Sequence, residues 1–106
     1  MVRKMRVTYK KVDPNAAITI YVKAPSAPNL YAWSTETGTT VKLNGNWPGK
    51  TMTETTVVNG ETFYCHTFSD VEVLNIIFNN NGSNKTADIE NIKETRFFEY
   101  DGNGNF

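Results

Sequence analysis

Ala17-Ile18-Thr19-Ile20-Tyr21-Val22-Lys23 is the stretch that decides the fold. Ile18, Ile20 and Val22 alternate with Thr19, Tyr21 and Lys23, and a period of two puts the aliphatic set on one side of an extended strand. Pro25-Ser26-Ala27-Pro28 follows, a connector that has no place inside a central strand. Asn29-Leu30-Tyr31-Ala32-Trp33 then alternates again, with Leu30 and Ala32 facing one way and Tyr31 and Trp33 the other. Asn46-Trp47-Pro48-Gly49 reads as a turn between short extended pieces. Asn59-Gly60 separates Val57-Val58 from a β-rich run over 61–68, the pattern of a two-residue hairpin whose turn residues both accept positive φ. Residues 71–78 read as a buried strand that ends in Asn79-Asn80-Asn81-Gly82, and 95–100 as a last strand. Residues 85–94 read as a helical turn or an irregular loop, and 101–105 as a turn or tail. The sum is an all-β chain: one immunoglobulin-like β-sandwich of about seven to nine mostly antiparallel strands.

The chain has 106 residues, room for one domain with one modest core. Eleven basic residues balance eleven acidic ones, so the net charge is zero and neither nucleic acid nor an anionic membrane is implied as a partner. Arg3, Lys4, Arg6, Lys10 and Lys11 crowd the start. Residues 1–16 are expected to be a basic linker or edge strand, and 17–106 the sandwich. Cys65 is the only cysteine, which excludes an intrachain disulfide. No apolar stretch approaches the ~20 residues of a membrane helix, and the basic start lacks the apolar core of a signal peptide. If the native protein is exported, this chain is a piece of it.

Catalysis finds little support. His66 is the sole histidine and sits in an expected strand without an identifiable nucleophile partner. Glycoside hydrolysis needs two carboxylates about 5–10 Å apart across a cleft. Asp88 and Glu90 can stand that close, but a sandwich of this size offers no deep groove. Asp101-Gly102-Asn103-Gly104-Asn105 imitates the opening of a calcium loop, yet Phe106 stands where that loop needs glycine, and no bidentate acid follows. The reading is a non-enzyme with no metal and no cofactor.

Tyr21, Tyr31 and Trp33 carry the functional reading. With the aliphatic residues of both strands committed to the core, these rings are directed outward. A pyranose has an apolar C–H face that lies on an aromatic ring, while its hydroxyls seek donors and acceptors at the rim. Lys23, on the side of Tyr21, supplies a donor. Against this stands a bland alternative, in which the rings merely cover an outer sheet face. Trp47 invites a binding reading, since tryptophan is a favoured sugar platform, but reads more strongly as a core plug with Met52 as companion, Pro48 and Gly49 shaping the turn above it. The asparagine-rich run 79–84 reads as a turn whose amides reach sugar hydroxyls only if it borders the aromatic face. Asn84-Lys85-Thr86 also matches the glycosylation sequon.

Tyr21-Val22-Lys23, Tyr31-Ala32-Trp33, Trp47-Pro48-Gly49 with Met52, and Ile76-Ile77-Phe78-Asn79-Asn80 through Lys85-Thr86-Ala87-Asp88-Ile89 together resemble carbohydrate-binding module family 26. These are the starch-binding β-sandwiches of bacterial amylases and related surface proteins. The resemblance implies non-catalytic binding of α-glucan, with the sugar platform on Tyr21 and Trp33, Tyr31 beside them, and polar contacts from Lys23 and Lys85. It leaves Trp-Pro-Gly structural. It further implies a monomeric module of a larger, exported bacterial protein that works outside the cell or on its surface. Two positions depart from the family pattern: Thr19 where a second tyrosine is common, and Lys85 where glutamine is. Both predict weaker binding, since one removes ring area and the other replaces a donor-acceptor amide by a donor. The competing class is an immunoglobulin-like spacer or protein-interaction module without sugar affinity.

Overall fold

The computed structural model of the chain describes residues 16–106. The basic linker or edge strand expected over 1–16 therefore lies, but for its last position, outside the described residues. Nine strands follow one another: β1 (Ala17–Lys23), β2 (Asn29–Ser34), β3 (Val41–Lys42), β4 (Lys50–Thr51), β5 (Thr55–Val58), β6 (Glu61–Ser69), β7 (Leu74–Asn79), β8 (Ile89–Ile92) and β9 (Arg96–Glu99). No helix occurs among the described residues.

The strands form two sheets, ordered β5-β6-β1-β9 and β3-β2-β7-β8, with β4 also paired to β2. Every strand pairing is antiparallel except β1 with β9. Alternation fixes which side of each strand turns inward. Ile18, Ile20 and Val22 of β1 meet Leu30 and Ala32 of β2 and Leu74, Ile76 and Phe78 of β7 in one core between the sheets. The turn at Asn59 and Gly60 has positive φ at both residues and pairs Val58 with Glu61, as the sequence predicts.

One expectation fails locally. Within 85–94 the chain forms strand β8 rather than a helical turn or irregular loop, pairing Leu74 with Ile92 and Ile76 with Ile89. The register shifts between these pairs, and Asn91 carries positive φ. That places Ile89 and Ile92, three residues apart, on the same buried side.

The connector at Pro25 to Pro28 decides where function can sit. It carries the chain from one sheet to the other, so β1 and β2 are not neighbours but lie across the core. The outward residues of β1 and of β2 consequently look in opposite directions.

Candidate functional site

Tyr31 and Trp33 point away from the core on the outer face of the β3-β2-β7-β8 sheet, as the parity of β2 requires. Their ring centroids stand 5.5 Å apart with planes tilted by 36°. Trp47 joins them, its ring 5.3 Å from that of Tyr31 and nearly edge-on at 72°. The three rings form one continuous, non-coplanar aromatic surface. Trp47 is 42% exposed, while Met52 is buried in the core. The reading of Trp47 as a core plug beside Met52 is therefore corrected: Met52 fills the core alone, and Trp47 belongs to the outer face.

Backbone geometry explains how Trp47 reaches that face. Gly49, at φ +85°, lies directly on β2; a Cβ there would collide with the Leu30 carbonyl and fall 2.7 Å from Tyr31 Cα. Only glycine lets the turn press so closely on the strand. Buried amides hold it there. Asn44 Nδ2 donates to the Leu30 carbonyl at 2.7 Å, and Asn29 Nδ2 to the Gly49 carbonyl at 2.9 Å. Asn79 Nδ2 donates to the Pro48 carbonyl at 3.0 Å.

The same amides join the turn to the loop after β7. Asn29 Oδ1 accepts from the Asn81 N–H, and Asn79 Oδ1 from the Gly82 N–H. The polar loop thus borders the rings: a Cβ on Gly82 would lie 3.6 Å from Trp47 Nε1. Lys85 is exposed three residues further along this loop. Thr86, its neighbour, is buried and accepts the Phe78 N–H at 3.2 Å, which anchors the far end.

Tyr21 and Lys23 are elsewhere. They project from β1 on the outer face of the opposite sheet, so the joint platform of Tyr21 with Trp33 does not form. Tyr21 stacks instead on Phe97, with centroids 4.4 Å apart and planes 7° from parallel, and Phe63 meets both rings edge-on. Lys23 Nζ bonds Glu61 Oε1 at 2.5 Å. That bond and the charge of Glu61, with Glu99 nearby, hold the ammonium pKa above its ordinary value.

The chain belongs to starch-binding module family 26. Its family model matches residues 20–91, which span every ring of the Tyr31, Trp33 and Trp47 surface and the loop beside it. Family 26 modules are non-catalytic carbohydrate-binding domains that bind starch-like glucans. No curated protein and no solved structure matches the chain.

Within this family 26 fold, sequence reasoning set Trp47 aside as structural and missed Phe97, and each had a signal. Phe97 and Phe98 are adjacent in a strand, so a period of two must turn one of them outward. Trp47 falls outside any alternating run, where parity assigns it no core position.

The other residues weighed for chemistry stay apart from the rings. His66 faces the core side of β6 opposite Ile20 and meets Phe68 edge-on at 4.7 Å. Asp88 and Glu90 are exposed on and beside β8. Asp101 accepts from the Asn105 side-chain amide and from the Asn103 and Asn105 N–H groups, which lowers its pKa.

Proposed function

We propose that this module holds helical α-glucan (amylose, amylopectin and malto-oligosaccharides) on Tyr31, Trp33 and Trp47, and does so without cleaving it. The observation that carries the reading is the tilt within the ring cluster, 36° between Tyr31 and Trp33 and 72° between Tyr31 and Trp47. Adjacent glucose faces in an α-glucan curve away from one another, and tilted rings follow that curve. A flat β-glucan ribbon fits a coplanar row instead. Asn81 and Lys85, on the loop beside Trp47, supply hydrogen bonds to the sugar hydroxyls.

Magnitudes set the role. A ring that removes ~60 Å² of apolar surface from water contributes about 1.5 kcal/mol at ~25 cal/mol/Å². Two or three such rings contribute about 3–4.5 kcal/mol, and with hydrogen bonds to the hydroxyls offsetting the cost of association the dissociation constant is roughly millimolar. Binding of that strength suits a monomeric targeting module in a larger exported bacterial protein, one that gains retention on starch from several linked sites. Such a protein works outside the cell or on its surface, an amylase being the fitting type.

Affinity electrophoresis in amylopectin tests the reading. The native module is retarded, and Trp33→Ala or Trp47→Ala weakens binding by about tenfold, the equivalent of one stacked ring. Unretarded migration of the folded native module overturns the proposal and leaves the spacer reading.

A further inference from the structure

The outer face of the β5-β6-β1-β9 sheet carries a second aromatic cluster that the first site does not use. Phe97 is 52% exposed on edge strand β9. One of its faces is covered by the parallel ring of Tyr21, and Phe63 braces both from the side at 75° and 79°. A ring locked in this way presents a flat, open surface at little further entropic cost. Around it run charged groups that pair with hydroxyls. Lys23 and Glu61 are bonded to each other, and Glu99 sits opposite Lys23 in the β1–β9 register. Together with Phe63, Phe97 and Phe98 they line an open groove of about 260 Å³.

Size and charge select the occupant. A stable protein interface covers about 800 Å² per partner around a core depleted of charge. Here three rings are hemmed at once by Lys23, Glu61 and Glu99, and by Thr19 and Thr67, which bond each other at 2.8 Å. A small apolar surface ringed by paired donors and acceptors fits a pyranose. The carboxylates accept from neighbouring hydroxyls, the ammonium donates, and the C–H face lies on Phe97.

We propose that this face is a second α-glucan site, a short subsite centred on Phe97, so that one module holds two glucan segments on opposite sides. The identity of the sugar rests on the starch-binding reading of the first face. With a single open ring, the second site binds several-fold to tenfold more weakly than the first.

Both tryptophans of the chain, Trp33 and Trp47, lie on the first face, so tryptophan fluorescence reports that face alone. Maltoheptaose is titrated into the native chain and the Phe97→Ala and Trp33→Ala/Trp47→Ala variants, with fluorescence and NMR shifts of Tyr21, Phe63 and Phe97 followed together. The expected result is saturable shifts at Phe97 and Tyr21 that persist in the double tryptophan variant. Phe97→Ala abolishes them in the remaining rings while the fluorescence titration is unchanged. Glu99→Gln, milder for folding, raises their midpoint several-fold. A fluorescence response without shifts at Tyr21 and Phe97 overturns the second site and leaves the first. Shifts at Phe97 that vary with protein concentration in the absence of sugar overturn it in favour of self-association. Silence at both faces overturns both proposals.

Discussion

Gly49 is the residue on which the ring surface depends, although it touches no sugar. Its Cβ position is occupied by the backbone of Leu30 and Tyr31, and its φ of +85° is one that other residues resist. Gly60 has nearly the same φ, +81°, but open space around its Cβ position. The pair separates two effects. Gly60→Ala carries only the conformational penalty, about 1 kcal/mol. Gly49→Ala adds a backbone collision and is expected to cost about 3 kcal/mol or more, enough to displace the turn or unfold a small domain. Urea denaturation of the two variants checks this; equal losses would show that the turn has slack to move off β2. Sequence reading recognised that Trp-Pro-Gly is a turn but not what the glycine does in it. A tight turn and a close approach to another strand demand the same residue, and only coordinates distinguish them.

At the scale of elements, β7 and its loops form the frame that aims Trp47. Asn79 stands at the end of β7, fully buried; its Nδ2 donates to the Pro48 carbonyl and its Oδ1 accepts from the Gly82 N–H. One side chain therefore ties the Trp-Pro-Gly turn to the polar loop. Asn79→Ala leaves both backbone groups without that partner in a shielded place, an expected loss of about 2–3 kcal/mol. Because Trp47 is then less firmly oriented, maltoheptaose affinity should fall several-fold even at temperatures where the variant is folded. Calorimetry, with circular dichroism for folding, reads both; unaltered affinity would mean that Trp47 is aimed by the turn alone. The apolar residues within 71–78 made a buried strand legible there, whereas nothing in the pattern distinguished Asn79 from an ordinary turn asparagine. β8 escaped notice for a different reason. Its inward residues Ile89 and Ile92 are three apart because Asn91 breaks the register, and alternation cannot reveal a strand that does not alternate.

Over the whole molecule, inside and outside were legible from the two-residue period, but which outside was not. Parity sent Tyr21 and Trp33 outward correctly, yet a sandwich has two outer faces. The sheet that each strand joins follows from long-range pairing after the Pro25 to Pro28 connector. The two sheets are held together in part by Tyr100, which immediately follows β9. Its N–H donates to the Lys23 carbonyl of β1, its ring stacks 5.9 Å from Phe78 of β7, and its hydroxyl donates to the Asn84 carbonyl. Burial first, and then the charge of Asp101, raises the pKa of this phenol above its ordinary value of about 10. A group whose pKa is higher in the folded state gives stability that is complete below its unfolded pKa and lost as the pH rises through the folded one. Ionisation also removes the proton donated to Asn84 and leaves an oxyanion against a carbonyl. The native chain should thus lose stability steeply above about pH 10. Tyr100→Phe should be less stable at pH 7 by about 1 kcal/mol for the missing hydrogen bond. The difference between the two proteins, measured by urea denaturation across pH 7 to about 11, cancels the other tyrosines and the lysines. It should stay constant up to about pH 10 and then shrink, because the unfolded phenol ionises there while the native one holds its proton to higher pH; a difference that stays level throughout would show that folding leaves the pKa of Tyr100 unchanged.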